Sequence, residues 1–228
     1  MGRIFLLGKK SLVKPAPLIY DIPPPTSKKV VRILGMAPNL SEMPPTPAGY
    51  EVWPSNSPKG YRLRLPRIID ENEWTAWFNI HSRHHMEITY PRGLEWYKKQ
   101  DPTKPIYTQK FWPDIPGCVV FPGPEIQEFF ATATGPNRYF TCSVAWLVVF
   151  AIYKGFERIE LWGFRLSDSK PNHAYTWERP CFFYWIQQAR DRGIEVWYQP
   201  EIEALPFIVG DPSTYTGTLY GYETKPER

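Results

Sequence analysis

The sequence predicts a single α/β domain on a Rossmann-like, mostly parallel sheet with helices on both faces. Three observations predict it. The second half of the chain alternates helix-like and strand-like segments, the order that a parallel sheet imposes. The strand-like segments are short, apolar and bounded by Gly or Pro, as buried strands are. Hydrophobic residues make up 43% of the 228 residues, enough for one real core and against general disorder.

Taken in order, residues 1–28 are expected to form an extended arm, because Pro15, Pro17, Pro23, Pro24 and Pro25 favour a polyproline-like path and Lys9, Lys10, Lys14 and Lys28 add charge. The domain proper is expected over 29–228, with no internal repeat and no linker. Val30 to Leu34 reads as the first strand, ended by Gly35 and Pro38. Tyr50 to Trp53 reads as the second, and Trp74 to Ile80 as the third, with Trp74, Ala76, Phe78 and Ile80 on one face by period two. Pro105 to Thr108 and Cys118 to Phe121 are further short strands. Pro124 to Thr132 reads as a helix with Pro in its first turn. Thr141 or Ser143 is expected to cap the next helix, which runs to Lys154 and stops at Gly155. Arg158 to Trp162 is a strand, Pro180 to Arg192 a helix with Phe182, Trp185, Ile186 and Ala189 on one face, and Ile194 to Tyr198 the last strand. Right-handed crossovers then put helices on both sides of the sheet.

Composition narrows the function classes. The net charge of +4 permits a phosphate-bearing partner without amounting to a nucleic-acid stripe. Cys118, Cys142 and Cys181 have no metal spacing, and an odd, sparse count fits reduced thiols in a cytoplasm. Met1 to Leu7 is too short for a signal peptide. The longest apolar run, Cys142 to Tyr153, falls well short of the roughly twenty residues that a bilayer span needs. A cytoplasmic protein without membrane contact is expected.

In an open parallel sheet, ligands bind beyond the carboxyl ends of the strands. That rule selects the loops. After the first strand comes Gly35-Met36-Ala37-Pro38-Asn39-Leu40-Ser41-Glu42, where Gly35 permits a tight turn and Asn39 or Ser41 is placed to cap a short helix facing a phosphate. After the second stands Asn56, whose amide offers a donor and an acceptor to a base edge or ribose. After the third come Asn79 and His81, followed by His84 and His85. The three histidines lack a Cys or carboxylate partner at metal spacing; His81 is placed as a proton donor or phosphate contact, and His84 and His85 are expected to be structural or solvated. Ser143 opens a helix whose dipole favours an anion. The stretch from Phe164 to Arg179 reads as a long binding loop carrying His173, Tyr175 and Arg179: a base with a pKa near neutrality and two phosphate contacts. No Asp-x-Asp pair and no Gly-x-Ser-x-Gly elbow occurs, and nothing signals a redox cofactor.

These segments resemble the sialyltransferase-like group of Rossmann-like proteins, which includes bacterial lipooligosaccharide sialyltransferases and related phage proteins. The likeness rests on four pieces: Ile33 to Leu40 against the family's first strand and its Gly-Asn-Gly-Pro-Ser-Leu turn, Glu51 to Asn56 against its second strand, Cys142-Ser143 with the apolar helix and Gly155 to Gly163, and His173 ahead of the last helix and strand. Met36 and Ala37 stand where the family has Asn and Gly, and Arg165 where an Asp usually follows. The resemblance implies that Gly35, Asn39, Asn56 and Ser143 contact a cytidine-type nucleotide donor, that His173 is the general base, and that no metal or cofactor is needed beyond the nucleotide sugar. The expected function is transfer of a sugar-type group from a nucleotide donor to a hydroxyl. The acceptor is a sugar or, in a phage enzyme working in its host's cytoplasm, a modified DNA base. The alternative is a catalytically silent nucleotide-binding, accessory or structural phage protein. Oligomeric state is left open.

Overall fold

The computed structural model describes residues 28–133, 135–165 and 173–199, with the backbone alone over 173–177. The Pro-rich arm, apart from Lys28, and the segment after Gln199 lie outside the described residues.

Seven strands are present among the described residues, and all of them pair in parallel: β1 (Val30–Leu34), β2 (Glu51–Pro54), β3 (Trp77–Asn79), β4 (Ile106–Thr108), β5 (Cys118–Val120), β6 (Arg158–Trp162) and β7 (Glu195–Tyr198). They form one group ordered β2-β1-β6-β7 and another ordered β3-β4-β5. A parallel bridge between Ser55 and Phe78 and the bond from Asn56 N–H to Phe78 O, 2.8 Å, join the groups. The whole surface therefore runs β7-β6-β1-β2-β3-β4-β5. From β1 the chain builds outward in one direction through β5, then returns to lay β6 on the other side of β1. That reversal is a topological switch point.

The two faces follow from period two in the strands. Val31, Ile33, Trp53, Phe78, Ile159 and Leu161 belong to one buried cluster; Leu34, Val52, Trp77 and Trp162 belong to the other. The first cluster is covered by α5 (Gly123–Phe129), α6 (Ser143–Tyr153) and α7 (His173–Asp191). The second is covered by α1 (Pro58–Arg64), α2 (Arg67–Asp70), α3 (Arg83–Thr89), α4 (Pro91–Tyr97) and a 3₁₀ turn at Pro38–Glu42. Crossovers made before the reversal cover one face, and those made after it cover the other, as right-handed connections require. Rings dominate the first cluster: Phe140 stacks on Trp146 at 3.7 Å between centroids and on Trp185 at 5.1 Å, and Trp53 meets Phe78, Phe150 and Phe156.

Three expectations are corrected here. Trp74 does not share a face with Ala76, Phe78 and Ile80: the strand begins only at Trp77, and Trp74 packs edge-on against Trp77 in the opposite cluster. Thr75 and Ala76 N–H both reach Val52 O, so the chain approaches the sheet as a loop. Helix α7 begins at His173, not at Pro180, so the second half of the expected long loop is helical, and residues 166–172 lie outside the described residues. Pro180 sits inside the helix, at the cost of one intrahelical hydrogen bond; Cys181, Phe182, Trp185 and Ile186 bury the face beyond it. Neither Thr141 nor Ser143 caps α6: the N-cap is Cys142, extended and without a side-chain bond.

One charged array crosses the sheet. Arg32 on β1 pairs in register with Glu160 on β6, and Arg158 and Glu160 lie two residues apart on the same face. Arg32 Nε donates to Glu160 Oε2 at 2.9 Å, Arg158 Nη2 lies 2.8 Å from Glu160 Oε1, and all three residues are buried. Arg32 also donates to Pro44 O at 2.9 Å, and Arg158 Nη1 stands 3.4 Å from Glu195 Oε1. Nothing in the strand-like pattern of Arg158 to Trp162 announced that these charges point inward.

Candidate functional site

The turns after β1 and β6 meet at the switch point, where a crevice is expected. Gly35 N–H donates to Trp162 O at 2.8 Å and Ala37 N–H to Gly163 O at 2.7 Å. Gly163 has a positive φ of 72°. Gln199, the residue after β7, locks the pair: its Oε1 accepts from Gly163 N–H at 2.8 Å, and its Nε2 donates to Asn39 O at 2.9 Å. The close backbone approach that calls for glycine at Gly35 is therefore an approach of Gly163, and two of the turn's N–H groups are already taken. The 3₁₀ turn starts on Ala37 with Pro38 and no side-chain cap, and the Ser41 hydroxyl donates back to Pro38 O at 3.1 Å. Neither Asn39 nor Ser41 caps it.

The polar groups above the sheet come instead from three asparagines in a row. Asn39 follows β1; its Nδ2 reaches Phe164 O at 3.5 Å, and its buried Oδ1 has no hydrogen-bond partner among the described residues. Asn56 follows β2 with a positive φ of 63°. Its carbonyl accepts from Trp77 Nε1 at 2.8 Å and from the Tyr97 hydroxyl at 2.6 Å, so the backbone is clamped, while its buried Oδ1 has no partner among the described residues. Asn79 ends β3 fully buried; its Oδ1 accepts from His81 N–H at 3.3 Å, and its Nδ2 has no partner among the described residues. Because Ser55 bridges Phe78, Asn56 and Asn79 are neighbours across one strand spacing, about 4.8 Å. Buried polar atoms are almost always hydrogen-bonded, and a left-handed non-glycine residue is strained, so each such atom in a cluster at strand ends asks for a function. Tyr61 ties the same ends together: its hydroxyl lies 2.7 Å from Leu34 O and accepts from Ser55 N–H at 2.9 Å. Burial raises its pKa, so it stays protonated.

His81 extends the row. Its ring lies 4.6 Å from that of His85, which in turn lies 5.6 Å from the Tyr90 ring. Burial, and then the neighbouring His85, push the His81 pKa down to about 4, so the imidazole is neutral at pH 7. His84 is exposed and His85 is half-buried in this stack, and Ser82 caps α3, its Oγ accepting from His85 N–H at 3.1 Å. Among the described residues no three His, Cys, Asp or Glu side chains gather as metal ligands. A folded-state pKa below the ordinary 6.5 means that the unfolded chain binds the proton first. Stability is therefore complete above pH 6.5 and falls as the pH drops towards 4. Urea midpoints measured between those limits should fall in the wild type and fall less in His81→Asn. The carboxylates of Glu73 and Asp114, whose pKa values are lowered, act in the same direction but below their ordinary values of 4.5 and 3.8.

The remaining candidates come from α6 and α7. Both helices precede a parallel strand and run back against it, so their N-termini lie at the carboxyl end of the sheet. Ser143 is the first residue of α6 and half-buried. His173 and Tyr175 lie in the first turn of α7, where the backbone alone is described. Arg179 is buried, with its guanidinium 5.6 Å from the Phe183 ring, and burial lowers its pKa. Beneath them the Cys142 thiol is held against Cys181; that hydrogen bond and burial raise its pKa, which disfavours a nucleophilic role. Sequence reasoning missed Gln199 and Tyr61. Gln199 was findable, since it ends the last strand and the strand-end rule selects it.

The fold and these strand-end groups define a doubly wound parallel α/β protein with a polar row beside its switch point. No family model matches the chain, and no curated protein matches it. The chain is similar to the solved structure of the sialyltransferase CstII from Campylobacter jejuni in complex with the substrate analogue CMP-3FNeuAc, at 16% identity and a TM-score of 0.47, over 75% of this chain and 79% of that one. It is also similar to the same enzyme's structure with cytidine-5'-monophosphate, at 15% identity and a TM-score of 0.42, over the same shares. Among the described residues no helix is long and apolar enough to cross a membrane.

Proposed function

We propose that the protein moves a sugar-type group from a nucleotide donor to a hydroxyl acceptor at the carboxyl ends of β1, β2 and β3. The observation that carries this reading is the row Asn39, Asn56 and Asn79, three amides with buried polar atoms that no described protein group satisfies. Asn39 and Asn56 each leave an acceptor oxygen and Asn79 a donor nitrogen, together the mix of acceptor and donor that a base edge or ribose needs.

In the proposed step the acceptor oxygen forms a bond to the anomeric carbon of the donor sugar. The bond from that carbon to the nucleotide phosphate breaks, and the phosphate leaves with its electron pair. The acceptor proton passes to His173, the general base. Arg179 and Tyr175, on the same end of α7, hold the leaving phosphate, and the N-terminus of α6 at Ser143 adds its dipole. Gly35 and Asn39 bound the donor on the β1 side, and Asn79 with neutral His81 on the β3 side. The step calls on no metal. A sugar and a modified base in DNA, the latter fitting a phage enzyme, are both acceptors of the right chemistry.

Two variants test the reading. In Asn56→Gly the backbone keeps its conformation, since glycine accepts positive φ freely, and the carbonyl bonds to Trp77 and Tyr97 remain. Its melting temperature should match the wild type, while donor affinity drops about tenfold or more, the loss of one buried polar contact. In His173→Ala the donor should still bind and turnover should vanish. Undiminished donor affinity in the first, or full turnover in the second, contradicts the assignment. A donor bound tightly with no turnover in the wild type identifies a silent binder.

A further inference from the structure

We infer that the groove between α1, α3 and α4 binds the backbone of a single-stranded nucleic acid. The groove encloses about 700 Å³, and Arg62, Arg83, Arg92, Lys98 and Lys99 line it against two carboxylates, Glu87 and Glu95. With Asp114, which pairs with Arg83 and Lys98, five cations face three carboxylates here.

Two of these cations are internally satisfied. Arg83 makes a two-pronged contact with Asp114, at 2.6 and 2.9 Å, and a third to Glu87; Lys98 pairs with Glu95 and Asp114. Arg62, Arg92 and Lys99 are exposed and have no carboxylate within ion-pairing distance among the described residues. Two of the three are guanidiniums, whose planar fork matches phosphate oxygens.

The floor supplies the second element. Trp96 is half-buried in the groove, and its inner side is fixed by Trp77, 4.6 Å between centroids, and Trp74, 5.9 Å. A rigid indole beside a cationic track is the pairing that holds single strands, with bases stacking while phosphates lie along the charges. A duplex keeps its bases inside and gives Trp96 nothing to stack on.

Position links the groove to the strand-end row. Helix α1 begins two residues after Asn56 and α3 two after His81, and Gly93 of α4 packs against Ser57 and Pro58 at the start of α1. A strand lying in the groove leads to Asn56, Asn79 and His81, which makes it the acceptor; that last step rests on the transferase reading, whereas the binding itself does not.

The test is fluorescence anisotropy with a labelled oligothymidylate of about 12 nucleotides, titrated at several salt concentrations with the full chain and with Arg62→Gln/Arg92→Gln/Lys99→Gln. All three side chains are exposed, and an unchanged melting temperature certifies the fold. The triple variant should bind about tenfold more weakly or worse, and its log-log salt slope should be shallower by about 2, from roughly 0.7 per lost phosphate contact on a single strand. Wild type that fails to bind, or a triple variant with the same affinity and slope, overturns the inference. So does a duplex bound as tightly as the single strand, or inorganic polyphosphate that displaces the oligonucleotide at equal phosphate concentration. Nucleotide-induced stabilisation measured on the triple variant keeps the two readings apart: it persists if the donor site is real, whatever the groove does.

Discussion

Glu160→Gln should lower the unfolding free energy by about 3–5 kcal/mol, the cost of removing one partner from a buried ion pair. The carboxylate is fully buried between the Arg32 and Arg158 guanidiniums, which are buried too. With a neutral amide in its place, Arg32 and Arg158 lose the one fully buried anion that pairs with them among the described residues, because Glu195 is partly exposed and 3.4 Å from Arg158. A domain of ordinary stability has about 5–15 kcal/mol in all, so the variant sits near the edge of folding at 37 °C. Urea denaturation monitored by circular dichroism checks it. The contrast is Asp114→Asn, which breaks the pair with Arg83 at the surface and should cost under about 1 kcal/mol. Replacing Arg32, Arg158 and Glu160 together by apolar residues of similar volume should restore much of the loss, since the penalty lies in the unpaired charges.

Alanine at Gly35 or Gly163 should damage fold and site together. A methyl group on Gly35 runs into the Gly163 carbonyl and the Phe164 ring, 2.7 Å away. One on Gly163 comes within 2.8 Å of Gly35 O and of Leu40 Cβ, and its φ of +72° is left-handed. Overpacking of this kind costs about 1–3 kcal/mol, and the left-handed conformation adds about 1–2 kcal/mol at Gly163. Gly163→Ala should therefore be the worse of the two by calorimetry. The backbone bonds from Gly35 and Ala37 to the β6 end set the height of Asn39, so surviving protein should bind donor poorly. Gly155→Ala is the control: it too has positive φ, but nothing stands within 4 Å of the added methyl.

The strand pattern was legible because β-branched and aromatic runs bounded by Gly or Pro leave few alternatives: β1 and β6 appear with the bounds read from sequence, and α6 within one residue. The helices between β2 and β4 were not, because α1 to α4 are short and interrupted by Pro66 and Pro91, which read as loop punctuation. The signals were Ser57-Pro58 and Ser82 ahead of His85, an N-cap position in each case. Pro180 misled in the other direction, since packing of α7 overrides local propensity. Within the candidate site, the strand-end rule found Asn39, Asn56 and Asn79 without any alignment. It did not reveal that the Gly35 turn is spent on Gly163 and Gln199, because such bonds join residues far apart in the chain. The basic groove was invisible for the same reason: its cations come from α1, α3, α4 and the two residues that follow α4, elements that the sequence reading did not see.

The central claim, that the row Asn39, Asn56 and Asn79 holds a nucleotide, is tested most directly by the melting temperature of the chain across cytidine, uridine, guanosine, adenosine and thymidine nucleotides and their sugar conjugates. A ligand present at about a hundred times its dissociation constant adds about 2.7 kcal/mol of stability. A clear rise with one base series, cut to about half or less (about 1.4 kcal/mol) in Asn56→Gly, is the predicted result; a flat response across the whole panel contradicts it.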